Sequence, residues 1–145
     1  MAIKEYKINS EKELLQIAEY IASQLKKGDV VTLEGGLGAG KTTFTRYLIK
    51  YLAGEEVDVP SPTFTLVQEY QLDSLDIWHF DLYRLEEKEI DILELGWEEA
   101  RRYGVAIVEW ADRLGGLLPQ NHINIEFSFI EGVQDSRVVR VSDFR

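Results

Sequence analysis

Gly35-Gly36-Leu37-Gly38-Ala39-Gly40-Lys41-Thr42 fits the pattern G-x-x-x-x-G-K-[ST] and lies between a short apolar run and a segment of helical period. Such a loop constrains what stands on either side. Glycines let the chain turn tightly enough for successive N–H groups to face phosphate oxygens, and the following helix adds the partial positive charge of its N-terminus. Asp29-Val30-Val31-Thr32-Leu33-Glu34 reads as the buried strand before the loop, and Phe44, Tyr47, Leu48 and Tyr51 recur at helical spacing after it. Residues Gly36, Leu37, Gly38, Ala39, Gly40, Lys41, Thr42 and Thr43 are therefore the expected nucleotide-binding segment. Lys41 is suited to the β- and γ-phosphates and the Thr42 hydroxyl to Mg²⁺. Gly36-x-Gly38 also begins a dinucleotide fingerprint, but Lys41 occupies the third glycine position and removes that reading.

The rest of the chain reads as one α/β domain, residues 1–145, of the P-loop NTPase-like class: a mixed sheet flanked by helices, with antiparallel strands at the C-terminus. Ile3 to Ile8 forms a short strand, and Ser10-Glu11-Lys12-Glu13 has capping-box spacing ahead of a packing helix through Leu14, Ile17, Ala18, Ile21, Ala22 and Leu25. Gly54 ends the helix after the loop, and Val57 to Pro62 is extended because residues before proline avoid helical geometry. Thr63 to Leu72 and Asp76 to Tyr83 alternate as a hairpin, Glu86–Leu95 and Trp97–Tyr103 as short helices broken at Gly96, and Val105 to Val108 as an apolar strand. Ile123, Ile125, Phe127 and Phe129, then Val139 and Val141 after a turn at Glu131-Gly132, alternate as the last strands.

Hydrolysis at a phosphate loop needs a further carboxylate to anchor metal or orient water, usually at the end of an apolar strand. Glu109 directly follows Val105 to Val108 and takes this Walker-B-like position; Asp81, in an aromatic strand, is either solvated or engaged, and alternation does not settle which. Ser61, Thr63 and Thr65 follow a rigid double-proline turn and have the chemistry of a γ-phosphate-sensing switch, or of a turn cap. Trp110 offers a ring for a base, a partner or packing, and Arg84, Arg101, Arg102 and Arg113 are candidate phosphate contacts. His79 and His122 are too isolated to suggest a metal site. Asp112-Arg113-Leu114-Gly115 has the D-x-x-G form of guanine-nucleotide switches, but the Asn-Lys-x-Asp pattern that specifies guanine is missing, which favours adenine.

With 26 acidic against 16 basic residues and a net charge of -10, the surface repels polyanions, so any nucleic acid is expected to be held by another subunit. The chain has no cysteine, its first residues lack the apolar core of a signal peptide, and no stretch is apolar enough to span a bilayer. A soluble cytoplasmic protein without membrane contact is expected.

Gly35 to Phe44, Ser61-Pro62-Thr63-Phe64-Thr65-Leu66-Val67, His79-Phe80-Asp81-Leu82-Tyr83-Arg84-Leu85 and Val108-Glu109-Trp110 together resemble, in order and spacing, the bacterial tRNA threonylcarbamoyladenosine biosynthesis ATPase family, TsaE. Gly36 departs from the acidic residue common there, at a place where the loop works through its backbone. The resemblance implies an ATPase, weak without partners, that serves the TsaB and TsaD proteins and meets tRNA only through them. It also implies ATP and Mg²⁺ as cofactors, Thr42 and Glu109 on the metal side, Lys41, Asp81 and Glu109 in catalysis, and Ser61 to Thr65 as a switch. A small-molecule kinase and a nucleotide-gated binding module share the loop. Kinases of this kind usually add an arginine-rich lid, and no basic lid segment stands out in the sequence.

Overall fold

In the computed structural model, which describes residues 2–36, 40–59, 66–83, 89–130 and 136–145, seven strands form one mixed sheet. They are β1 (Ala2–Ile8), β2 (Val30–Glu34), β3 (Val67–Tyr70), β4 (Asp76–Asp81), β5 (Gly104–Glu109), β6 (Ile123–Phe129) and β7 (Arg137–Asp143), in spatial order β1-β7-β6-β2-β5-β4-β3. β4, β5, β2 and β6 run parallel, whereas β3 pairs with β4, β7 with β6 and β1 with β7 in antiparallel fashion. Parallel neighbours need crossovers, and helices α1 (Glu11–Gln24), α2 (Lys41–Ala53), α3 (Glu89–Glu94) and α4 (Trp97–Tyr103) cover the two faces of the sheet. The expected mixed sheet, the β3–β4 hairpin and the helix break at Gly96 are all present.

Because side chains alternate across a strand, each central strand contributes to two cores. Val31, Leu33, Ile77, Val105 and Ile107 pack with Leu14, Ile17 and Ile21 of α1 and Phe44, Leu48 and Ile49 of α2. Val30, Trp78, Phe80, Ala106 and Val108 pack on the other face with Ile92, Trp97, Ala100 and Leu114. Burial on both faces explains why Val105 to Val108 of β5 is an unbroken apolar run and why β2 is apolar from Val30 to Leu33 but for Thr32, whose buried hydroxyl donates to Asn124 Oδ1 at 2.7 Å.

The N-terminus of α1 departs slightly from its sequence signature. Ser10 Oγ accepts from Glu13 N–H at 3.4 Å, as a cap should, but the Glu13 carboxylate returns to the N–H of Asn9 at 3.3 Å, one residue before the cap. Two element bounds also shift. Regular pairing of β3 begins at Val67, with the expected start at Thr63 outside the described residues, and α2 begins at Lys41, three residues before Phe44 opens the apolar period. Ala111–Leu117, unassigned in the sequence, forms 3-10 turns that kink at Gly115 and bury Ala111 and Leu114.

Candidate functional site

The parallel strands end at one edge of the sheet, where the crevice beyond their carboxyl ends is the usual ligand position in α/β folds. The chain turns out of β2 there and enters α2 through Gly40, whose φ of 115° lies in the left-handed region that favours glycine. Phe44 N–H donates to Gly40 C=O at 2.8 Å as the first bond of the helix, so the N–H groups of Lys41, Thr42 and Thr43 have no intrahelical acceptor. They form an anion-facing helix end with no acidic residue in its first turn. A cleft of about 680 Å³ opens over it, lined by Gly35, Gly36, Gly40, Lys41, Thr42 and Thr43 from the loop and α2. Of the expected nucleotide-binding segment, Leu37, Gly38 and Ala39 lie outside the described residues.

Both expected carboxylates line the same cleft. Asp81 ends β4, Glu109 ends β5, and the two are register partners in parallel strands, so their side chains leave the same face, toward α2. Each is 5% exposed. Glu109 is held at both oxygens: Oε1 lies 3.7 Å from Lys41 Nζ and Oε2 lies 2.8 Å from Nε2 of the buried His79. Asp81 Oδ1 accepts from Tyr83 N–H at 3.1 Å, and its own N–H donates to Leu66 C=O at 2.8 Å. Leu82 N–H donates to Glu109 C=O at 3.1 Å, which ties the two strand ends together.

Trp110 follows Glu109 with φ 62°, an uncommon conformation for a bulky residue, and is 40% exposed. Its ring lies 4.8 Å from that of Tyr83 and 5.9 Å from Lys41 Nζ, so the lysine sits between a carboxylate and an aromatic face. Across β2, the start of β7 and the start of α1 reach the same sheet edge and bring Arg137, Glu11 and Leu14 to the cleft.

Sequence reasoning missed His79, Tyr83 and Arg137. For His79 a usable signal existed, since it stands two residues before Asp81 in an alternating strand; Arg137 reaches the site only through the sheet order. Arg101 and Arg102 lie in the last turn of α4, which leads into the opposite end of β5, and are away from the cleft. Arg113 and the D-x-x-G residues fall in the 3-10 segment and do not line it. Ser61, Thr63, Thr65 and Arg84 lie outside the described residues.

The donors at this edge suit Mg²⁺, a hard cation that takes oxygen ligands and usually combines one or two carboxylates with substrate phosphates and water. Thr42, Asp81 and Glu109 offer only oxygens.

Residues 8–138 match the family model described as threonylcarbamoyl adenosine biosynthesis protein TsaE. The chain is 45% identical over 121 residues to the tRNA threonylcarbamoyladenosine biosynthesis protein TsaE of Rickettsia conorii, covering 82% of this chain and 69% of that protein. The Bacillus subtilis protein of the same description is 44% identical over 114 residues, 78% of this chain and 70% of its own. The crystal structure of Bacillus subtilis YdiB superposes with a TM-score of 0.80 at 33% identity, over 99% of this chain and 87% of that one.

Proposed function

The chain belongs to the TsaE family of threonylcarbamoyl adenosine biosynthesis proteins, and from that premise we propose that it is a cytoplasmic Mg²⁺-dependent ATPase acting in tRNA threonylcarbamoyladenosine formation with TsaB and TsaD. The observation that carries the proposal is the bracketing of Glu109 by Lys41 and His79 beside Asp81, over the open N-terminus of α2. Lys41 leaves Glu109 for the β- and γ-phosphates, and the N–H groups of Lys41 to Thr43 donate to the phosphate oxygens. Thr42 and Glu109 would hold Mg²⁺, which when bound offsets the charge of the triphosphate. Asp81, aimed by the Tyr83 N–H, orients the attacking water. Water attacks the γ-phosphorus, the bond from that phosphorus to the bridging oxygen breaks, and ADP leaves with the oxygen. Leu14 and Arg137, which also line the cleft, offer an apolar and a cationic side chain to the rest of the nucleotide.

Net acidity supports the division of labour, with the tRNA held by the partner proteins and this chain supplying a nucleotide-dependent step. Ser61 to Thr65 then reads the nucleotide state to the partners, as switch segments do. The test combines phosphate release by the parent and by Lys41→Ala, each with and without TsaB and TsaD, with partner affinity measured in ATP analogue, in ADP and without nucleotide. Expected are hydrolysis stimulated by the partners, its loss in Lys41→Ala with the fold retained, and unequal affinities. Equal hydrolysis by parent and variant sinks the site assignment, and three equal affinities, or tight tRNA binding by this chain alone, sink the coupling.

A further inference from the structure

His79 stands in β4 between Gln68 of β3 and Ile107 of β5 in register, with no exposed surface. Two residues from Asp81 in a strand, it points to the same face, toward α2. Its Nε2 meets Glu109 Oε2 at 2.8 Å, and its Nδ1 is buried with no hydrogen-bond partner among the described residues. An imidazole is a poor choice for filling a core at such a place, because an aliphatic side chain would occupy the volume without an orphaned ring nitrogen. Its contact with Glu109, the one polar contact it makes among the described residues, offsets that penalty. An ionised carboxylate only accepts, so for this contact a ring hydrogen sits on Nε2.

The two holds on Glu109 differ in permanence. On the reading proposed above, Lys41 is drawn to the phosphates when nucleotide binds, and the oxygen it faced at 3.7 Å becomes available. The other oxygen faces a ring that has no exposed surface, on the sheet face that α2 covers. We infer that His79 is a positioning residue that fixes the Glu109 carboxylate through Nε2–H, so that its aim is kept when Lys41 departs. This inference rests on the ATPase reading for its kinetic consequence, and on geometry alone for the hydrogen bond.

Two measurements on the full chain decide it. Steady-state ATP hydrolysis with Mg²⁺ should fall about 10- to 100-fold in kcat for His79→Leu with KM within about threefold, the usual loss when a group that orients a ligand is removed. His79→Gln, whose amide N–H can take the place of Nε2–H, should return kcat to within about fivefold of the parent. A histidine kept only for packing gives the opposite order, with the Leu variant at parental kcat and the Gln variant impaired, and overturns the proposal. The second measurement is ¹⁵N NMR of the His79 ring in the nucleotide-free protein, which does not depend on any variant of His79 folding. The parent should show the Nε2–H tautomer, and Glu109→Ala a mixture of tautomers; an Nδ1–H tautomer in the parent, or a spectrum unchanged in Glu109→Ala, refutes the contact. Should the parent fail to hydrolyse ATP while the NMR result holds, the ATPase reading fails and the His79–Glu109 hold stands.

Discussion

Glu109→Gln separates what the carboxylate does to Lys41 from what it does to the reaction, and the nucleotide-free geometry sets the size of the first effect. Lys41 Nζ lies 3.7 Å from Glu109 Oε1, with side-chain exposures of 14% and 6%, so solvent screens this pair less than a surface pair. Unit charges about 4 Å apart attract by about 4 kcal/mol at an effective dielectric constant of about 20. Most of that replaces hydration given up by both groups, and the contact is longer than a hydrogen bond, which leaves a net worth of about 1 kcal/mol. Triphosphate binding must break the pair. Removing the charge therefore tightens ATP binding about fivefold when Mg²⁺ is chelated, and the lost repulsion between carboxylate and phosphates acts in the same direction. With Mg²⁺ present the gain shrinks, because the variant also gives up a metal-side oxygen charge, and hydrolysis falls by about 100-fold or more. Calorimetric titration with ATP in chelator and then in Mg²⁺, followed by single-turnover phosphate release, measures all three quantities. Weaker binding in chelator would show that the Lys41–Glu109 contact does not compete with phosphate, and parental hydrolysis would remove Glu109 from the site.

Gly104→Ala should destabilise the fold by about 3 kcal/mol, about 10 °C in Tm, since its Cβ would overlap the Asp76 carbonyl oxygen and stand 2.8 Å from the Trp78 ring; a thermal melt within 2 °C of the parent contradicts the tight approach of β4 and β5. At Trp110, where φ is 62°, the Gly variant should be more stable than the Ala variant by about 1 kcal/mol, because only glycine adopts that conformation without strain. Equal denaturant midpoints for the two would argue that the backbone relaxes. Arg145 bonds the Asp143 carboxylate through Nε and Nη2 and holds its carboxyl below the usual carboxylate range. A depressed folded-state value contributes stability that is present at neutral pH and lost as pH falls through that range. The Tm difference between parent and Asp143→Asn should accordingly narrow with acidification, and a constant difference from pH 7 to 3 would exclude the linkage. Asp81→Asn should abolish turnover while leaving ATP affinity within about threefold, and turnover retained there but lost in Glu109→Gln would confine the chemistry to β5.

The strand, turn and helix around Gly40 were legible because their signals are local: the glycines, lysine and hydroxyl stand within a few residues of one another, between an apolar run and a helical period. The central strands were legible for a related reason, since the apolar residues of β2 and β5 mark them as buried, whereas β4, read as alternating, is buried on both faces because it lies inside the sheet between β3 and β5. The grouping at the site has a different origin. Asp81 and Glu109 become neighbours only because β4 lies parallel to β5, a pairing of distant segments that neither segment's pattern encodes. His79 looks isolated in sequence for the same reason, although its spacing from Asp81 marks the face it takes. Arg137 arrives from the far side of β2, where β7 starts antiparallel to β6 at the same sheet edge and β1 ends beside it. The 3-10 turns after Trp110 were invisible because Asp112 to Leu117 carries neither helical nor strand period.

Among the described residues, the two non-glycine residues with positive φ, Leu66 and Trp110, adjoin the two carboxylates. Leu66 presents its C=O to the Asp81 N–H at 2.8 Å, and Trp110 continues the chain from Glu109. Each such conformation stores about 1–3 kcal/mol, and it persists only where surrounding contacts over-determine it. Here those contacts are the Tyr83 ring against Trp110 and the bond from Leu82 N–H to Glu109 C=O. The carboxylate ends of β4 and β5 are thus rigid, cross-tied and buried. On the ATPase reading, response to nucleotide then falls to the Lys41 side chain and the exposed Trp110 and Tyr83 rings beside it. On that reading, Lys41 leaving Glu109 would also leave the face of Trp110, so that a movement of charge inside the cleft changes an exposed aromatic surface. A partner touching that surface would feel the γ-phosphate without contacting it, and its preference between nucleotide states would equal the difference in its binding free energy to the two arrangements.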